Sequence, residues 1–149
     1  MIGLLQRVTE ASVSVDGRVV ASIGRGLLVL AAVQPDDTAG TTRRLAERLT
    51  GYRVFADAAG RMNKSLVDLG YELLLVPQFT LAADTRKGTR ASFTSAATPA
   101  IGRQYFEMLV QACREQLNET PGKVQSGVFG ADMQVSLVND GPVTFWLES

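Results

Sequence analysis

The chain has 149 residues, 46% hydrophobic and 20% charged, enough for one domain over residues 1–149 with a core that needs neither disulfides nor metal clusters. Fifteen Lys and Arg balance fifteen Asp and Glu, so no overall field announces a nucleic-acid partner. Histidine is absent and cysteine occurs once, at Cys113, which excludes Ser-His-Asp and Cys-His catalysis, His-containing zinc sites and an internal disulfide. The one sequential acidic pair, Asp36-Asp37, lacks EF-hand spacing, so no metal and no cofactor is expected. No apolar run reaches bilayer length and the first residues lack the order of a signal peptide, which predicts a cytoplasmic protein with no membrane association.

In chain order, Ile2–Val8 is an apolar run, Ser12–Val15 alternates, Asp16-Gly17 turns and Arg18–Ala21 returns, which predicts a β-hairpin. Gly24-Arg25-Gly26 leads into Leu27–Val33, a run β-rich and short enough for a strand buried on both faces. This Gly-x-Gly precedes a strand and lacks a third glycine, so it reads as a loop pair and not a dinucleotide fingerprint. Thr38 to Thr50 predicts a helix ending at Gly51, with Leu45, Ala46 and Leu49 on one side and Arg43, Arg44 and Arg48 largely on the other. Tyr52–Phe55 predicts a strand, 57–60 a turn, and Glu72–Val76 a strand that runs into Pro77. Residues 82–98 have no clean period and predict a long surface loop. Thr98-Pro99 opens a helix whose apolar stripe runs from Ile101 to Leu117 and includes Cys113, which reads as a small core residue rather than a reactive thiol. After Pro121-Gly122, three β segments follow: Val124–Phe129, Met133–Val138 and Val143–Leu147.

Two segments carry chemistry. Pro77-Gln78-Phe79-Thr80-Leu81 stands at the end of a buried strand, where the main-chain N–H groups of Gln78, Phe79 and Thr80 can converge as an oxyanion hole. Thr80 reads as either a nucleophile or a structural hydroxyl, and without histidine its only candidate bases are a carboxylate, a lysine or the substrate. Gly141-Pro142 lies between β segments at an edge or a turn, as a plain trans turn or as a rigid pair whose carbonyls face a site. Residues 1–90 hold twelve basic against nine acidic residues, and 91–149 three against six. The densest clusters, Arg43, Arg44 and Arg48 on the helix and Arg86, Lys87 and Arg90 in the loop, are candidates for phosphate contact or simply solvated faces.

Three stretches, Met1–Val8, Gln78–Asp84 and Met133–Trp146 with its Asn139-Asp140-Gly141-Pro142-Val143-Thr144 core, resemble the D-aminoacyl-tRNA deacylase (D-tyrosyl-tRNA(Tyr) deacylase) family in sequence, order and spacing, over essentially the whole chain. The resemblance implies a homodimeric, metal-independent hydrolase that cuts the ester between a D-amino acid, or glycine, and the terminal adenosine of tRNA. It implies a cis Gly141–Pro142 pair that enters the other subunit's pocket and selects the acyl group. It also implies N–H groups around Gln78 and Phe79 that hold the oxyanion, with the ribose 2′-hydroxyl assisting water. Arg86, Lys87 and Arg90 are the residues expected to meet tRNA. The bacterial family pattern has serine at the position of Pro77, which leaves open a different substrate preference, for glycine or a mischarged L-amino acid, and an RNA-binding module that has lost the chemistry. The expected fold is an α/β domain, a curved, barrel-like, antiparallel-rich sheet with two main helices.

Overall fold

The structure, a computed structural model, describes residues 1–120 and 122–149; Pro121, at the predicted turn, lies outside the described residues. Strand β1 (Ile2–Val15) turns into β2 (Arg18–Ile23) through Asp16 and Gly17, whose positive φ values of 50° and 74° suit the tight hairpin that the Asp-Gly pair predicted. The two apolar stretches predicted on either side of Thr9–Ala11 form one continuous strand, bent by irregular register. Strand β3 (Gly26–Ala32) is buried on both faces, apart from the half-buried Leu30, as its unbroken apolar run requires.

Helix α1 (Ala39–Gly51) is capped at Thr38, whose hydroxyl takes the Thr41 N–H while the Thr41 hydroxyl takes the Thr38 N–H. The carboxylate of Asp37 anchors this corner by accepting from the Gln34 N–H, the Thr41 hydroxyl and the α-amino nitrogen of Met1. The strand predicted over Tyr52–Phe55 shrinks to β4 (Phe55–Ala56), paired with β5 (Met62–Lys64). Tyr52 instead caps α1 and sets its ring 5.4 Å from that of Phe145, so ring packing overrides its strand propensity. A short helix, α2 (Leu66–Leu69), follows a reciprocal cap between Ser65 and Asp68.

Strand β6 (Glu72–Pro77) runs parallel to β3 and leads through a 3-10 turn (Phe79–Ala82) into the predicted long loop. Helix α3 (Pro99–Gln116) begins at Thr98 as predicted, although the Thr98 hydroxyl makes no cap bond. Strand β7 (Val124–Ser126) stops three residues before the predicted Phe129, where Gly127 crosses so near that a Cβ would stand 2.8 Å from the Met133 sulfur. The two last predicted segments are a single strand, β8 (Gln134–Glu148), with Gly141-Pro142 inside it.

The sheet order β2-β1-β3-β6-β7, with β8 on β1, curls into a nearly closed barrel. Its antiparallel pairs are β1 with β2, β3 and β8, and its parallel pairs β3–β6 and β6–β7. One face packs Leu5, Val29 and Leu75 against Leu45, Leu49 and Leu109 of α1 and α3. The other gathers Val8, Val13, Ile23, Leu28 and Leu74 inside the curl. Burying each such aliphatic side chain contributes about 1.5–3 kcal/mol, which is the force that closes the sheet. No helix among the described residues is long and apolar enough to cross a membrane.

Candidate active site

At the end of β6 the Gln78 N–H donates to the Ala31 carbonyl at 2.8 Å, extending the parallel ladder with β3 by one bond. This corrects the predicted trio of oxyanion donors, because the Gln78 N–H is already committed to the sheet. The Gln78 carbonyl accepts from the Leu81 N–H at 3.2 Å and starts the 3-10 turn. Phe79 and Thr80 are therefore the first donors of a helical turn, where N–H groups have no partner within the turn, and among the described residues neither finds another acceptor. Pro77 is the last residue of β6, and strand β7 pairs only with Leu73–Leu75, so Pro77 stands past the paired stretch on that side, where proline is tolerated.

The Thr80 hydroxyl accepts from the Gln78 side-chain amide; no carboxylate or lysine among the described residues bonds it. Two cavities flank this turn. One, of about 370 Å³, is walled by Ala31, Gln78, Phe79, Ala97, Phe106 and Phe129. The other, of about 320 Å³, is walled by Val76, Pro77, Phe129, Asp132, Met133 and Val135. Phe129, like Gln78 and Phe79, lines both. The Arg103 guanidinium sits 5.1 Å from its ring centroid, and Gly102 lets the ring approach so closely that a Cβ there would stand 3.2 Å from its Cζ.

The second motif forms a protrusion on β8. Gln6 faces Thr144 and Val8 faces Asn139, so Arg7 alone stands opposite residues 140–143. The Gly141–Pro142 peptide is cis, and Gly141 has φ +137°, a region that favours glycine. Arg7 grips the base of the protrusion: Nε donates to the Asp140 carbonyl at 3.0 Å and Nη1 to the Val54 carbonyl at 2.6 Å. Asn139 braces the far side, accepting from the Val143 N–H at 2.8 Å and donating to the Thr144 hydroxyl at 2.9 Å. Both Gly141 and Pro142 are exposed.

The chain does not bring its two motifs together. Strands β8, β1, β3 and β6 are successive neighbours, so three spacings, about 14 Å, separate the protrusion from β6. Along the strands, Arg7 aligns with Leu27 and Leu73, five residues and about 16 Å before Gln78. The separation is on the order of 20 Å by these spacings.

The profile of the D-Tyr-tRNA(Tyr) deacylase family matches residues 4–148. The chain belongs to that family. It is 62% identical over 149 residues to the D-aminoacyl-tRNA deacylase of Alkalilimnicola ehrlichii, covering 100% of this chain and 97% of the relative. With the enzyme of the same name from Thioalkalivibrio sulfidiphilus it shares 63% over 149 residues, covering 99% and 97%. Among solved structures, the c-Myc DNA Unwinding Element Binding Protein superposes with TM-score 0.93 at 37% identity, covering 100% and 99%. A probable eukaryotic D-amino acid tRNA deacylase superposes with TM-score 0.84 at 19% identity, covering 99% and 98%, a likeness of fold.

In this deacylase-family chain the predicted basic trio divides. Arg86 is engaged by Asp84, with Nε and Nη2 at 2.9 and 2.7 Å from the two carboxylate oxygens. The guanidinium holds the Asp84 carboxyl well below the usual carboxylate range, and the carboxylate raises the Arg86 pKa in turn. Lys87 and Arg90 have no acidic partner among the described residues. Of the α1 cluster, Arg48 donates to the Glu148 carbonyl, while Arg43 and Arg44 are exposed. Sequence reading assigned no role to Arg7, Arg103 or Phe129. Arg7 carried a signal, since it shares a strand face with the core residue Leu5; Arg103 and Phe129 meet only across the fold.

Proposed function

We propose that this protein hydrolyses the ester of D-aminoacyl-tRNA, releasing a D-amino acid and free tRNA. The observation that carries the reading is the pair of uncommitted N–H groups of Phe79 and Thr80, on a turn whose Gln78 and Phe79 line both cavities, in a chain 62% identical to a D-aminoacyl-tRNA deacylase. Water attacks the acyl carbon, and the carbonyl oxygen gains charge beside the Phe79 and Thr80 N–H groups. The terminal ribose 2′-hydroxyl relays the water's proton, and the ribose 3′-oxygen leaves protonated as the ester breaks. No protein base takes part, in keeping with a chain that has no histidine.

Selection falls to Gly141 and Pro142. Their carbonyls hold the substrate's amino group, which leaves a D side chain an exit and drives an L side chain into the wall. Glycine has no side chain to exclude, so glycyl-tRNA is also a substrate. With the two motifs on the order of 20 Å apart in one chain, a site that uses both requires a homodimer, with each protrusion entering its partner's pocket. An uncovered sheet face beside the protrusion, where Trp146 is 49% exposed over the half-buried Leu4 and Leu30, supports such a dimer.

The second reading, a nucleic-acid-binding module without the chemistry, is favoured by the 37% identity to a protein named for binding a DNA unwinding element. A third reading, a deacylase that prefers glycine or a mischarged L-amino acid, is motivated by Pro77. Incubation with D-tyrosyl-, L-tyrosyl- and glycyl-tRNA separates the three. Release of D-tyrosine and glycine with the L ester intact is expected; equal cleavage of the D and L esters, or of neither, refutes the reading.

A further inference from the structure

Two large aromatic side chains stand exposed at the rim of the larger cavity, Phe79 at 58% and Phe93 at 46%. Their ring centroids are 5.1 Å apart, tilted by 55°. A packed core explains neither exposure, and exposed paired rings are the platform on which nucleobases stack in single-strand binding sites. Phe93 directly follows a pinch in the long loop: the Asp84 N–H donates to the Ser92 carbonyl at 2.8 Å, and the Ser92 N–H returns to the Asp84 carbonyl at 3.0 Å. The seven residues 85–91 therefore fold back on themselves and reach about 12 Å at most beyond the pinch.

That loop carries the charges. Arg86 is fixed against Asp84, and Lys87 and Arg90, free of acidic partners among the described residues, line an open concavity of about 490 Å³ together with Asp84 and Ser92. A stacking platform with cations within about 12 Å suits a flexible anionic strand that offers both bases and phosphates. A basic patch alone fits any phosphate, and an aromatic pair alone fits any apolar surface; their adjacency, at the mouth of the cavity beside the Phe79 N–H, selects the strand.

We infer that the Phe79–Phe93 pair and the Lys87/Arg90 loop form a subsite for the unpaired 3′ nucleotides of tRNA that precede the terminal adenosine. The inference rests on the proposed function and adds a second contact to it. A base stacks on Phe93, the adjoining phosphates lie against Lys87 and Arg90, and the terminal ester is delivered to the Phe79 turn.

The test compares two substrates, D-tyrosyl-tRNA and D-tyrosyl-adenosine, which keeps the ester and lacks the preceding nucleotides. Phe93→Ala is expected to lower kcat/KM for the tRNA about tenfold more than for the nucleoside ester, the scale of one lost base stack. Phe93→Trp, which keeps a stacking face, restores it. Lys87→Gln combined with Arg90→Gln lowers the tRNA value likewise and flattens its salt dependence by about 0.7 per charge removed. Equal losses on both substrates, or none on tRNA, overturn the inference. A wild-type protein that cleaves neither substrate overturns the proposed function instead. The affinity for uncharged tRNA with and without its unpaired 3′ nucleotides then decides the subsite: weaker binding by Phe93→Ala only when those nucleotides are present supports it, and no difference refutes it.

Discussion

Arg7 and Asp140 meet twice: the guanidinium Nε donates to the Asp140 main-chain carbonyl at 3.0 Å and lies 3.4 Å from its carboxylate. The same guanidinium reaches the Val54 carbonyl, so one half-buried side chain ties the Gly141-Pro142 protrusion to the residue that leads into β4. Arg7→Lys keeps the charge and loses the planar fork. The loss of one charge-assisted hydrogen bond, about 1.5–3 kcal/mol, predicts a ten- to hundredfold lower kcat/KM on D-tyrosyl-tRNA, with the fold retained by circular dichroism. Unchanged kinetics would remove the clamp from the account.

Thr80 and Phe79 separate in their expected effects. The Thr80 hydroxyl accepts from the Gln78 amide and has no base beside it, so Thr80→Ala is expected to keep kcat within about tenfold, the cost of one side-chain hydrogen bond. Phe79→Pro removes a main-chain donor at a position of a helical turn that tolerates proline, and is expected to lower kcat by about 10²–10³. Single-turnover rates decide, and abolition of turnover by Thr80→Ala alone would make Thr80 the nucleophile.

Arg103 acts through Phe129, which lines both cavities. Arg103→Ala leaves that ring free to shift. The expected result is a KM about two- to fivefold higher with kcat little changed, in line with an exposed cation–π contact.

Much of the fold could be read from local chemistry. The Asp16-Gly17 turn, the apolar run of β3 and the Thr98-Pro99 helix start each follow from a few adjacent residues. Two departures come from contacts distant in sequence: Tyr52 packs on Phe145 instead of extending a strand, and β1 holds β8 on both sides of Gly141-Pro142, a pair that reads as a break. Strand β7 instead stops at a close approach six residues away, where Gly127 meets Met133. Helix α2 had a legible signal in its Ser65-x-x-Asp68 cap. The N–H count at Gln78 could not be read, because its acceptor, Ala31, belongs to another strand.

Cys113 is fully buried, and burial pushes its thiol from 9.0 up to about 12. Between those values the unfolded chain has released a proton that the native chain keeps, so stability falls as pH rises through that window. The slope is about 1.4 kcal/mol per pH unit. Urea unfolding between about pH 9.5 and 11 should show the wild type losing stability more steeply than Cys113→Ala, by about this slope. Equal slopes, or rapid labelling of the native thiol, would contradict it.

In the proposed dimer, one site takes its donors from one chain and its selector from the other. A Cβ on Gly141 would stand 2.8 Å from Val143 Cγ2 and 3.1 Å from Arg7 Nη2, at φ +137°, so Gly141→Ala should disable the selector as Phe79→Pro disables the donors. Co-refolding the two inactive variants in equal amounts and assaying D-tyrosyl-tRNA hydrolysis tests the claim directly. Each mixed dimer rebuilds one intact site, so recovery to about a quarter of wild-type activity is predicted for a two-fold symmetric assembly; no recovery above either variant alone would contradict the account.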